Sequence, residues 1–333
     1  MANVLITGAS GFIGSFLVEK GLELGHTIYA AIRQSSSKKY LQDKRINFVY
    51  VQLDNTESLT QQWKQLKAEG IHFDYVVHNA GVTKVRDNDE FDQVNNGYTQ
   101  NLMNSLAQAE MQPKKFIFVS SLAAYGPGKD NFQPIKDADI PCPVTHYGKS
   151  KLKAENFLKE QDLMPYLIFR PTGVYGPRET DYYTFFKSIN NHIEVYIGSS
   201  SQLLSFIHVF DLVDVIFKSM NSEIVNKAYF VTDGNSYTTQ QFAQITKQLL
   251  QKRTVRIVIP AFIVKCVFAV TERWARFRNQ ITVLNKDKYN ELISENWSCN
   301  STQTMIDFNF KPEYTLKKGV KVTLDWYKKN KWL

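Results

Sequence analysis

Apolar and polar positions follow two rhythms through the first half of the chain. Residues 3–7 form a short apolar run that reads as a strand. Residues 12–24 follow with a helical period that sets Ile13, Phe16, Leu17 and Leu24 on one inward face. Strand-like runs return at 27–32 and 47–53, and 57–68 has a helical pattern. Two more β-rich runs, 73–78 and 115–121, flank a polar helix over about 90–110, and 166–170 is the next strand. Strands separated by helices with short connections predict an α/β fold of Rossmann type, built on a doubly wound parallel sheet.

After residue 178 the rhythm changes. Helical periods cover 182–191, 211–220 and 239–251, strand-like pieces lie at 194–197 and 228–231, and an amphipathic helix spans about 315–329. The expected division is a dinucleotide-binding domain over 1–178, rejoined by later segments, and a smaller, mixed substrate-binding region over 179–333. The C-terminal helix is compatible with a homodimer but does not specify one. Residues 257–270 are strongly apolar, interrupted by Pro260 and Lys265, and lead into Arg273-Trp-Ala-Arg-Phe-Arg278. This stretch is too short and too broken to span a bilayer. A basic amphipathic helix can lie on a membrane surface or cap an apolar pocket; the simpler expectation is a buried helix of the substrate region.

Composition narrows the class. Hydrophobic residues make up 43% and charged residues 22% of 333, the mix of a folded globular protein. The net charge of +8 suits an anionic ligand, nucleic acid or a membrane surface. The cations are scattered apart from a dense C-terminal stretch, without zinc-finger spacing or RNP-like aromatics, so no nucleic-acid partner is expected. Three cysteines, Cys142, Cys266 and Cys299, with no C-x-x-C spacing, predict neither a disulfide framework nor a metal site. The N-terminus lacks a signal-peptide pattern and no apolar run is long enough to cross a membrane, which predicts a cytoplasmic location.

The candidate cofactor site is at the first strand–helix junction, Thr7-Gly8-Ala-Ser-Gly11-Phe12-Ile13-Gly14. Gly8 permits a tight turn and Gly11 a close approach of backbone to a pyrophosphate. Gly14 lets helix pack on strand, and the helix N-terminus, with Phe12 and Ile13 in its first turn, attracts the anion. At the end of the second strand, Ile32-Arg33-Gln-Ser-Ser-Ser-Lys38 has no carboxylate for a ribose hydroxyl. Arg33, with Lys38 and neighbouring hydroxyls, suits a 2′-phosphate, so NADP is expected ahead of NAD.

The candidate catalytic site is Tyr147-Gly-Lys-Ser-Lys151, whose i,i+4 spacing puts phenol and amine on one helix face. A neighbouring ammonium, with the charge of an oxidised nicotinamide, would favour the phenolate and let Tyr147 exchange a proton while hydride moves at carbon. Upstream, Phe116-Ile-Phe-Val-Ser-Ser121 is a strand ending in hydroxyls, and Ser121 can hydrogen-bond a substrate oxygen.

Gly8-x-x-Gly11-x-x-Gly14, Ser121 before Tyr125-Gly126, Tyr147-x-x-x-Lys151 and Arg170-Pro171…Val174-Tyr-Gly-Pro177 occur in order. Together they resemble the extended short-chain dehydrogenase/reductases, the NAD-dependent epimerase/dehydratase family, over nearly the whole chain. That resemblance implies an enzyme with Asp54 near the adenine, Ala80 and Gly81 against the cofactor, Pro171 near the nicotinamide, and Asn95 as the family's helix asparagine. It also covers Phe206-Ile-His-Val-Phe-Asp211 and Phe308-Asn-Phe-Lys-Pro312, with His208 and Asp211 structural.

Two departures bear on the reaction. Dehydratase members carry Asp-Glu where this chain has Leu122-Ala123, which argues against water elimination. Nucleotide-sugar members commonly place a diphosphate-binding arginine where this chain has Leu204, although Arg178 could compensate. The expectation is therefore NADP(H)-linked interconversion of a ketone or aldehyde and an alcohol, as in the dihydroflavonol-reductase-like and hydroxysteroid-dehydrogenase-like branches. Tyr182, Tyr183, Phe185, Phe186 and Trp274 are candidate pocket aromatics, and His146 could face the substrate. The alternatives are a nucleotide-sugar 4-epimerase with tightly held NAD, and a non-enzymatic NADP-binding protein.

Overall fold

In a computed structural model, which describes residues 1–129, 132–198, 201–278 and 286–333, the strand-like runs assemble around one sheet. Strands β1 (Asn3–Thr7), β2 (Thr27–Ile32), β3 (Asn47–Tyr50), β4 (Tyr75–His78), β5 (Lys115–Val119) and β6 (Tyr166–Pro171) come first along the chain. The shorter β7 (Gly173–Tyr175), β8 (Ile193–Ile197), β9 (Leu203–Leu204) and β10 (Phe206–His208) follow, then β11 (Lys227–Val231), β12 (Tyr237–Thr238), β13 (Val255–Ile259) and β14 (Asn296–Trp297). The central sheet has the order β11-β6-β5-β4-β1-β2-β3, and all its pairs are parallel. Its middle strands are largely apolar because helices cover both faces.

One layer packs helices Phe12–Glu23 and Val209–Met220 through Phe16, Leu17, Leu212 and Ile216. The other packs Thr56–Ala68, Tyr98–Gln108 and His146–Glu160 through Trp63, Leu102, Leu106 and Leu158. The chain runs outward from β1 to β3, then returns to β4 on the other side of β1. The sheet's switch point therefore lies between β1 and β4, where ligands of such sheets bind beyond the carboxyl ends of the strands. Strand β11 joins the sheet at the β6 edge.

The helices Asp181–Asn190, Thr239–Leu250 and Leu316–Lys329 pack around Phe186, Phe206, Phe242, Leu316, Val320, Leu324 and Tyr327. Three small sheets, β7 with β10, β8 with β13, and β12-β9-β14, accompany them.

Three local expectations differ from the structure. Leu24 is exposed: its helix ends at Glu23, and Gly25, with φ of +78°, turns the chain away. The polar helix over 90–110 is interrupted by a π-helical stretch, Asp92–Gly97, whose wider turn carries the buried Asn95. Residues 257–278 are not a buried helix but the end of β13 followed by the helix Ala261–Phe277. Val264 and Phe268 of that helix turn inward, while Phe262, Ile263, Val267, Val270 and Trp274 are exposed. Its apolar arc is wider than the neighbouring elements cover. None of the helices among the described residues is long and apolar enough to cross a membrane.

A buried ion pair ties the helix His146–Glu160 to β6. Both Glu155 carboxylate oxygens accept from Arg170, at 2.7–3.0 Å, and Ser120 Oγ donates to Oε1 at 2.6 Å. The guanidinium lies 4.5 Å from the Tyr125 ring centre and 5.3 Å from that of Phe230, and reaches Asp137 at 3.3 Å. Glu155→Ala strips the buried cation of its main partner and should lower stability by about 3–5 kcal/mol in urea unfolding. Combining it with Arg170→Met should recover much of that loss.

Candidate active site

The glycine turn is built for close approach at the switch point. Gly8 has φ of +65°, and a Cβ there would stand 2.8 Å from the Ala80 nitrogen, so the loops after β1 and β4 abut directly. At Gly14 a Cβ would fall 2.1 Å from the Gly8 carbonyl oxygen, which explains why helix and strand pack so tightly there. The helix begins at Phe12 with no side-chain cap on Gly11, so its first N–H groups stay available to an anion. Phe12 packs edge-on against Phe16, and Ile13 is half-buried against the core.

Beneath this cradle runs a buried polar chain. Thr7 Oγ1 meets His78 Nδ1 at 2.8 Å and also accepts from the backbone nitrogens of Asn79 and Ala80. His78 Nε2 meets Thr99 Oγ1 at 3.0 Å, and that hydroxyl donates to the Asn95 carbonyl at 2.7 Å. Burial holds the imidazole pKa down near 3, with the Lys151 charge adding to the effect, so His78 is a neutral structural link. The side chain of Asn95 brackets Val82, accepting from its N–H at 2.8 Å and donating to its carbonyl at 3.0 Å. It also donates to Ser150 Oγ at 3.0 Å, joining the loop after β4 to the helix that carries Tyr147 and Lys151. Gly81 is needed in that loop, since a Cβ there would stand 2.8 Å from Asn95 Oδ1 and 3.3 Å from Lys151 Nζ. The roles of His78 and Ser150 have no signal of their own in the sequence; only the register of β4 against β1 brings His78 to Thr7.

On the adenosine side, Arg33 and Asp54 are exposed at the ends of β2 and β3, near enough for their charges to act oppositely on Tyr98. The Lys38 ammonium donates to the Tyr50 hydroxyl at 2.7 Å and lies 4.1 Å from the Phe48 ring centre, so it is already engaged. Pro171 closes β6, paired with Val231.

The three candidate catalytic residues converge at the carboxyl ends of β5 and β6. Ser121 starts the short turn Leu122–Ala124, its Oγ accepting from the Ala123 nitrogen at 3.1 Å. Tyr147 lies in the first turn of the helix capped by Thr145, whose side chain accepts from the Gly148 nitrogen at 2.9 Å. The Ser121 side chain lies close enough to Tyr147 to act on the phenol. Gly148 makes this approach possible: a Cβ there would fall 2.1 Å from the Ala123 carbonyl oxygen. Lys151, one turn on, is buried; its Nζ donates to the Val119 carbonyl at 3.0 Å and lies 4.7 Å from the Phe118 ring centre.

Burial pushes the Tyr147 phenol up to about 12; the Ser121 side chain opposes this and the Glu291 charge adds to it. Burial brings Lys151 down to about 8, against the stabilising charge of Glu155. The phenol is thus held protonated at neutral pH, and additional positive charge nearby would be needed to favour the phenolate. The glycine cradle, the uncapped helix and the converging site fit a nicotinamide dinucleotide, which when bound supplies hydride transfer and, oxidised, a positive ring. Gly8, Gly11, Gly14, Ala80 and Gly81 would hold it.

On the substrate side, Leu204 is half-buried against the aromatic cluster around Phe206. Arg178, the other candidate for a diphosphate, is engaged with the first helix. Its guanidinium is bound by Glu19 at 2.6 Å and Ser15 at 2.9 Å and lies against Phe16 and Tyr40. Most of the predicted pocket aromatics are core: Phe186 is fully buried, Phe185 stacks on Phe242, and Tyr183 packs on Tyr327 and Trp332. Trp274 is exposed. Tyr182 differs: its hydroxyl lies against Gly173, just past Pro171, and the Glu291 charge acts on it as on Tyr147. Glu291, not evident from the sequence, lies on the helix Lys286–Ile293, whose Asp287 accepts from the exposed His146 backbone N–H. His208, stacked on Tyr314, and Asp211, which accepts from the backbone N–H groups of Glu313 and Tyr314 at 2.9 Å, are structural.

Two outcomes test this geometry. Gly148→Ala should wedge the helix from the Leu122–Ala124 turn and reduce kcat at least tenfold, while a circular-dichroism spectrum shows the fold retained. Lys151 binds its proton more weakly folded than unfolded, so its burial lowers stability below about pH 8. That penalty fades as the pH rises from about 8 toward the ordinary lysine value near 10.5. Lys151→Met should therefore unfold at higher urea than the parent at pH 7, by up to about 3 kcal/mol, with the difference vanishing above about pH 10.

The sequence model of the NAD dependent epimerase/dehydratase family matches residues 4–231. A UDP-glucose 4-epimerase of Vibrio cholerae is 26% identical over 96% of this chain and 94% of its own. A ceramide reductase of Caulobacter vibrioides is 25% identical over 99% and 96%. The crystal structure of the Bordetella bronchiseptica enzyme WbmG in complex with NAD and UDP superimposes with a TM-score of 0.78 at 19% identity, covering 98% of this chain and 95% of that one. The fold is shared along the whole length.

Proposed function

From the premise that the chain belongs to the NAD-dependent epimerase/dehydratase family, we propose that it exchanges hydride between a nicotinamide dinucleotide and a ketone or aldehyde and the corresponding alcohol. Ser121 hydrogen-bonds the substrate oxygen, Tyr147 gives or takes its proton, and Lys151 supplies the charge that lowers the cost of phenolate. Arg33 at the end of β2 favours NADP(H), with Lys38 contributing only if it leaves Tyr50.

One observation carries the choice of substrate class. Leu204 is packed among aromatics and Arg178 is held by Glu19, so neither offers a guanidinium to a substrate diphosphate. This supports a substrate without a nucleotide, in keeping with a ceramide reductase among the relatives. The second reading, 4-epimerisation of a nucleotide sugar on tightly held NAD, is favoured by the likeness to the Vibrio cholerae epimerase over nearly the full length of both chains.

A screen of ketones, aldehydes and UDP-hexoses, read by NAD(P)H absorbance and by sugar isomerisation, separates the two. Turnover of a carbonyl substrate, tighter binding of NADPH than NADH, and a fall of about 10²–10⁴ in kcat for Tyr147→Phe are expected. UDP-hexose isomerisation without added cofactor would overturn the reductase reading in favour of the epimerase.

A further inference from the structure

A broad exposed apolar surface among the described residues lies outside the site just described. In the helix Ala261–Phe277, successive side chains are turned by about 100°, which places Phe262, Ile263, Cys266, Val267, Val270 and Trp274 within one arc of about 140°. All six are exposed, Phe262 at 67%, Val270 at 64% and Trp274 at 56%. The strand leading into the helix continues this character. In the parallel register of β8 with β13, Ile193 faces Val255 and Val195 faces Ile257, so the four share one side of a two-stranded ribbon. Each of them is exposed too.

The charge carried by this stretch of chain is strongly positive. Residues 252–278 contain Lys252, Arg253, Arg256, Lys265, Arg273, Arg276 and Arg278 against the single acid Glu272, a net +6 in a chain whose total is +8. Arg253, Arg256, Lys265, Arg273 and Arg278 are exposed. The Arg278 guanidinium lies 4.7 Å from the ring centre of exposed Trp274, setting a cation beside an amphipathic ring. An apolar arc bearing a tryptophan and bordered by lysine and arginine has the chemistry of a helix lying in the headgroup region of an anionic bilayer. A second copy of this chain would bring a like-charged rim against it, which opposes self-association through this face.

We propose that the helix Ala261–Phe277, with the ribbon β8–β13, docks the enzyme on the surface of an anionic lipid bilayer without crossing it. The docked element adjoins the site. The helix Lys286–Ile293 packs on it, and through Asp287 and Glu291 that second helix meets His146 and the surroundings of Tyr147 and Tyr182. A bilayer at this face would lie beside the entrance to the candidate active site, giving an apolar substrate a path that avoids water.

The test is co-sedimentation of the full chain with vesicles of phosphatidylcholine alone and of phosphatidylcholine mixed with phosphatidylglycerol, at low and high salt. Binding to the mixed vesicles, weakened by salt, is expected. Phe262→Glu and Val270→Glu should each weaken partitioning tenfold or more, and Arg253→Glu with Arg256→Glu should weaken it roughly fivefold per cation removed. These positions are exposed, so the unfolding midpoints of the variants should match the parent; the strand pair provides an independent reading if a helix variant misfolds. Absence of vesicle binding, or variants that bind like the parent, would overturn the proposal. So would a dimer in light scattering that Phe262→Glu dissociates without any vesicle binding, because the face would then serve a second copy.

Discussion

The buried pairing of Glu155 with Arg170 anchors the helix His146–Glu160 to β6 and, through Ser120, to the end of β5. Neither charge could be left alone at that depth, so helix, sheet and the loop bearing Asp137 are coupled in one arrangement. Lys151 sits one turn before Glu155 and Tyr147 two turns before it, so their positions follow from how this pair seats the helix. The same carboxylate partly offsets the burial that weakens proton binding by Lys151. An ammonium poised near pH 8 and a phenol raised by burial thus share one helix face.

Close backbone contact completes the site. Gly8, Gly14, Gly81 and Gly148 each stand where a Cβ would press on backbone or on a functional side chain, and together they let β1, β4 and the catalytic helix converge. Their shared consequence is a close convergence of loops at the sheet's switch point, beside the Thr7–His78–Thr99–Asn95 chain, whose members are all buried and paired. The substrate side is built differently. Its aromatics are mostly spent on packing the smaller lobe, and Arg178 holds that lobe to the first helix through Glu19 and Ser15.

The sequence by itself determined the parallel sheet, its helices and the identity of the converging residues. Short apolar strands alternating with helical periods can bury their faces in few ways, and the glycine turn, Ser121 and Tyr147-x-x-x-Lys151 keep their meaning locally, through strand ends and helix spacing. Only the tertiary structure decided what depends on partners distant in the chain. Arg178 could have met a phosphate but is held by Glu19, 159 positions earlier. Lys38 turned to Tyr50, Asn95 entered a π-helical turn that reaches Ser150, and Glu291 came to face Tyr147 from the far end of the chain. The apolar run after Pro260 reads like core because periodicity counts hydrophobic residues, not the neighbours that cover them. Whether such an arc is buried depends on the elements packed against it, and among the described residues of this helix they bury Val264 and Phe268.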